Sequence, residues 1–123
     1  MTTKRRARAG SVKWLRELYN EMNKEFYEGK LTRRLNFEWQ TLPGTIIARV
    51  RWKRFSNDDF RPYVMQFSRR LKHAALQKQV GMSMLHEMAH LKCGIKVDCR
   101  EWDGEFDKEM FRLAKTGAFR YFW

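Results

Sequence analysis

Val12, Leu15, Leu18, Tyr19, Met22 and Phe26 recur at three- and four-residue steps, so the chain from Ser11 onward predicts an amphipathic helix. Ser11 supplies a capping hydroxyl at its start, and Glu28-Gly29-Lys30 breaks it. The period then changes to two. Leu35, Phe37 and Trp39 alternate with Asn36, Glu38 and Gln40, which predicts a strand. Leu42-Pro43-Gly44 makes a turn, and a second strand follows from Ile46 to about Lys53, with Ala48, Val50 and Trp52 on one face and Arg49, Arg51 and Lys53 on the other. That basic row is read as a solvated sheet face in preference to a phosphate-binding one. Ser56 to Pro62 is polar and predicts a hairpin loop, after which Tyr63, Met65 and Phe67 give a third strand. Arg69 to Leu76 is basic and predicts a short helical turn. Val80, Met84, Met88 and Leu91 mark a second helix stopping at Cys93-Gly94, and Phe106, Met110 and Leu113 a third from about Glu105 to Lys115, stopped by Thr116-Gly117. The order is helix, antiparallel three-stranded meander, helix, helix. This is an α+β arrangement of one domain over 11–123, preceded by a flexible basic arm over 1–10.

Composition narrows the class. With 123 residues, 43% of them hydrophobic and 15% aromatic, the chain can build one core unaided and is not disordered in bulk. No apolar run approaches the roughly 20 residues of a membrane span, and the basic start lacks the apolar segment of a secretory signal. A cytoplasmic protein with no membrane partner is the expectation, monomeric by default. Cys93 and Cys99 are spaced C-x5-C, which rules out a four-ligand zinc ribbon.

Charge adds a partner. Lys and Arg number 26 against 14 Asp and Glu, a net +12, and a small domain with that excess suits a polyanion, most simply nucleic acid. Lys4, Arg5, Arg6, Arg8, Lys13 and Arg16 lie in the first 16 residues without one acid. Nucleic-acid affinity at Lys4, Arg5, Arg6, Arg8 and Lys13 is preferred to a merely solubilising tail, with no inference about base preference.

The chemistry sits in His86-Glu87-Met88-Ala89-His90. Residues four apart on a helix share a face, so His86 and His90 can reach one metal ion, while Glu87 is placed to take a proton from water beside it. Gln79 and Ser83 extend the histidine face with the polar or small groups that a wet cleft needs. The alternative, a surface helix that happens to carry two histidines, is weaker in this setting. His73 lies well before the motif and is read as a surface histidine.

Four segments in order resemble the SprT-like metalloprotease domain, the group of the bacterial SprT proteins and Spartan. They are Tyr19-Asn20 with Phe26-Tyr27-Glu28-Gly29-Lys30-Leu31, then Met65-Gln66-Phe67-Ser68, then Leu85 through Leu91, and finally Phe106 through Trp123. The resemblance spans residues 12–123. It implies a minimal zincin-like fold whose sheet edge can hold an extended peptide, with Zn2+ bound by His86 and His90 and with Glu87 as general base. In that family the third ligand is the histidine of a His-Gly pair before the closing helix. This chain has no histidine after His90. Depending on where the gap is placed, Trp102-Asp103 or Asp103-Gly104 stands there instead; Trp cannot bind zinc and Asp can. Asp103 is therefore the expected third ligand, with Cys99, Glu101, Glu105 and Glu109 as substitutes, and capping of the last helix as its competing role. The expected function is a zinc-dependent metallopeptidase acting on proteins at or near DNA, in the cytoplasm, where nucleoid association or a phage origin is compatible with it. The alternative is a basic nucleic-acid-binding module with a vestigial or structural metal site.

Overall fold

A computed structural model of the chain describes residues 7, 8, 10–57, 59–93 and 104–120. Helix α1 runs Val12–Tyr27, with the Ser11 hydroxyl accepting from the Trp14 N–H at 3.0 Å as its cap. Glu28 takes a left-handed conformation (φ 54°) and Gly29 follows at φ 74°, which ends the helix. Leu15, Leu18, Tyr19 and Met22 are buried as the period requires, whereas Val12 is exposed at the helix start and Trp14 and Tyr27 take core places. Asn23 is buried and satisfied on both sides of its amide by the Leu31 backbone, each bond 3.1 Å long. That clamp sets the path of the chain into the sheet.

Three strands follow: β1 Asn36–Gln40, β2 Ala48–Ser56 and β3 Asp59–Ser68. The expected antiparallel meander is corrected here, because the sheet is mixed. Its order is β1-β3-β2, with β1 parallel to β3 and β2 antiparallel to it. Residues 41–47 carry the chain past two strand spacings, roughly 10 Å, and leave the middle place for β3. The expected loop over Ser56–Pro62 is also shorter. Both strands extend to Ser56 and Asp59 as a narrow ribbon, stapled by the Arg61 guanidinium over the Phe55 ring at 4.5 Å and by the Arg61–Asp59 pair at 2.8 Å. Pro62, which has no N–H, falls at a register shift opposite Trp52, beyond the end of β1.

Phe37, Trp39, Met65 and Phe67 point to one side of the sheet and pack with α1 and with α2, Gln77–Cys93, in one core. Two short 3-10 turns, Arg69–Leu71 and Ala74–Leu76, join β3 to α2. Val80, Met84, Leu85, Met88 and Ala89 are all buried, so α2 is a central helix rather than a surface one. Helix α3, Glu105–Lys115, lies against α2 through Phe106 and Leu113, and Gly117 (φ 82°) turns the chain after it. Among the described residues no helix is long and apolar enough to cross a membrane.

Candidate metal centre

The central position of α2 gives its exposed side a task. His86 and His90 emerge one turn apart with their Nε2 atoms 3.2 Å from each other. Two nitrogens on one tetrahedral zinc ion, each roughly 2.0–2.1 Å from it, stand about 3.3–3.4 Å apart. The imidazole pair therefore already has the spacing that such an ion requires. Ligand atoms of His86, Glu87 and His90 all lie within 4.8 Å of one another, and this is the group among the described residues that could hold a metal.

Glu87 differs from the imidazoles in its surroundings. It is only 9% exposed, and burial pushes its carboxyl up to about 7, moderated by the Val50 backbone N–H, which donates to it. A carboxyl poised near neutrality is matched to taking and returning a proton at physiological pH. A cation between the two histidines would favour its ionised form. The cleft in front has a volume of about 550 Å3 and is walled by Thr45, Ile46, Ile47 and Ala48 on one side and by Ser83, His86 and Glu87 on the other. Ile46 and Ile47 are 40% and 46% exposed, apolar groups held in the open beside the polar cluster.

Two structural supports of this centre were absent from the motif. Phe106 reaches over from α3, its ring centroid 4.3 Å from that of His90 in a stacked arrangement and 4.9 Å from that of His86 edge-on. Arg70 donates from Nη2 to the carbonyls of Gly44 (3.0 Å) and Ile46 (3.4 Å), pinning the isoleucine wall. Phe106 was visible in the sequence only as one apolar position on a helix. Arg70 gave no signal, since one basic residue among many does not announce what it holds.

The expected third ligand, Asp103, lies outside the described residues, as do Cys99 and Glu101. Two substitutes are described and are engaged elsewhere. Glu105 is exposed and pairs with Lys108 at 3.7 Å, while Glu109 is buried and held by Arg112 through bonds of 2.9 and 2.8 Å. Of the basic residues expected to meet nucleic acid, Lys4, Arg5 and Arg6 are outside the described residues, Lys13 is exposed on α1, and Arg8 borders a cavity at the start of that helix. His73, expected at the surface, is exposed there, away from the histidine pair.

A family model described as the SprT-like family matches residues 15–120. The chain belongs to the SprT-like family. No curated protein and no solved structure gives a significant match. The matched span runs from within α1 past the end of α3, so the match is not confined to the histidine helix. The family is metallopeptidase-like, in keeping with a histidine pair and a buried carboxyl gathered in one cluster.

Proposed function

We propose that this SprT-like domain is a zinc-dependent peptidase that works on proteins held at or near nucleic acid. The observation that carries the reading is the pair of Nε2 atoms 3.2 Å apart beside a buried carboxyl, with His86 and Glu87 lining a cleft open to a chain. His86 and His90 hold the ion, with Asp103 as the proposed third donor. Zinc, when bound, supplies Lewis-acid activation of a carbonyl and of water. The protein supplies the rest. Glu87, aimed by the Val50 N–H, takes a proton from the attacking water and passes it to the leaving amine. β2 is an edge strand beside the cleft, so an extended peptide can lie along it, with an apolar side chain against Ile46 and Ile47.

The test compares wild type with Glu87→Gln for metal content and for cleavage of a denatured protein, with and without DNA. Stoichiometric zinc in both, with cleavage in the wild type alone, is the expected result. Equal cleavage by both removes Glu87 from the chemistry. A second reading has one observation in its favour, the lack of any histidine after His90. A protein that binds DNA, holds no zinc after dialysis and cleaves nothing is a basic binding module on this fold.

A further inference from the structure

Away from the metal cleft, the molecule has a cavity whose chemistry is of one sign. It has a volume of about 520 Å3 and lies where the start of α1 meets the first turn after β3. Arg8, Ser11, Arg69, Arg70, Lys72 and His73 line it, and among the described residues no acid does. Arg8, Arg69 and Lys72 form no ion pair with a carboxylate among the described residues. The Ala75 N–H donates to His73 Nδ1 at 3.1 Å, so a neutral His73 carries its proton on Nε2, a further donor. The first turn of α1 contains no acid, and the nearest carboxylate in the sequence, Glu17, is engaged by the Ala7 N–H at 2.7 Å.

The concavity is built into the fold. Gly10 sits at φ 92°, and a Cβ there would come within 3.0 Å of the Lys72 carbonyl, so only glycine lets the segment before α1 lie this close to the turn. Two segments some sixty residues apart in the chain are thereby held together with their cations converging. Like charges gathered in a cavity repel one another unless an anion enters. A solvated basic face would instead be convex or interleaved with acids.

We propose that this cavity is a phosphate-binding site for the backbone of nucleic acid. The net charge of +12 favours a polyanion over a lone small anion, and Lys4, Arg5 and Arg6 adjoin Arg8 in the sequence. The placement suits the family chemistry. Arg70 borders the cavity and also donates to the carbonyl of Ile46, a wall residue of the metal cleft. A nucleic acid seated here runs beside the cleft, so a protein attached to it is presented to Glu87. The inference rests on the nucleic-acid half of the proposed function and is independent of the hydrolytic half.

The experiment is fluorescence anisotropy of the full chain with a labelled duplex oligonucleotide of roughly 20 base pairs, in NaCl from about 50 to 200 mM. Arg69→Gln/Lys72→Gln is compared with Arg33→Gln/Arg34→Gln, which removes the same charge from exposed positions beyond the far end of α1. The first double variant should weaken binding about 10-fold and flatten the log–log salt slope by about 1.8, two phosphate contacts' worth. The second should change affinity about 2-fold through the general field alone. Equal losses in the two, or none in the first, overturn the site. Displacement of the oligonucleotide by millimolar orthophosphate beyond an equal ionic strength of chloride, with an unchanged salt slope in the first variant, identifies a small-anion site and also overturns it. If the wild type binds no oligonucleotide at low salt, both this site and the nucleic-acid half of the function fall while hydrolysis stands. Localised binding without any zinc or cleavage leaves this site in place and removes the hydrolytic half.

Discussion

Glu87 is a carboxyl whose burial disfavours its charge when no cation is nearby. Its folded value of about 7 exceeds the ordinary 4.5, so between those pH values the folded chain binds more protons than the unfolded one. Stability of the metal-free protein therefore falls as pH rises through that window, by an amount on the order of 3 kcal/mol. Glu87→Gln should melt higher than wild type in chelator at pH 8, with the difference vanishing below about pH 4.5. A glutamine variant that melts lower at pH 8 would show that the carboxylate is stabilised by something other than an ion. Phe106 supports the same centre from the other helix. Phe106→Ala should cost roughly 3 kcal/mol as a buried cavity and, by releasing both rings, weaken zinc binding about 10-fold, measured by chelator competition. The three motif residues were legible because a four-residue step lands on one helix face whatever the rest of the chain does. Phe106 was not, since contact between two helices is not encoded in the period of either.

At the scale of elements, α3 is anchored by a charged group rather than by apolar area alone. Burial would raise the Glu109 carboxyl, but bonds and charge from Arg112, with the nearby Tyr27 hydroxyl and Lys92, hold it below its ordinary value. Its contribution is thus present above about pH 4.5 and is lost as pH falls through the lower folded value. Glu109→Gln should lower stability at pH 7 by about 2 kcal/mol, between the surface and buried limits for an ion pair, because Arg112 is 41% exposed. Urea titrations of the two proteins should converge below pH 4.5. Asn23→Ala should cost roughly 2–3 kcal/mol by stranding the buried N–H and carbonyl of Leu31, with α1 otherwise intact by circular dichroism. The helices were read well from sequence, since Ser11, Gly29 and Gly117 punctuate them. Strand faces were also read at Phe37, Trp39, Met65 and Phe67, whereas Tyr63, expected with them, is exposed and Val64 on the other face of β3 is buried. Strand neighbours were not, because alternation says which way a side chain points and nothing about which strand lies alongside. The hairpin ends at Ser56 and Asp59 were hidden for a related reason: β2 is exposed on both faces from Lys53 to Ser56 and Asp59 and Phe60 are alike half-buried, so neither shows an alternation to read.

For the molecule as a whole, metal and stability are linked. An ion that binds only the folded chain adds stability in proportion to the logarithm of its concentration over Kd, about 4 kcal/mol at a thousandfold excess. Chelator should therefore lower the melting temperature of wild type by several degrees, and His90→Ala should make the protein insensitive to it. The order β1-β3-β2 has a further consequence during synthesis. The first two strands emerging from the ribosome are not neighbours and have no ladder to form until β3 begins at Asp59, and β1 has none until Val64–Ser68 is made. The nascent chain thus waits with two orphan edges, and the segment that joins them is translated directly before the histidine helix. Fragments that stop short of Asp59 should stay sheetless and prone to aggregate, whereas the three-stranded sheet closes only once translation passes Ser68.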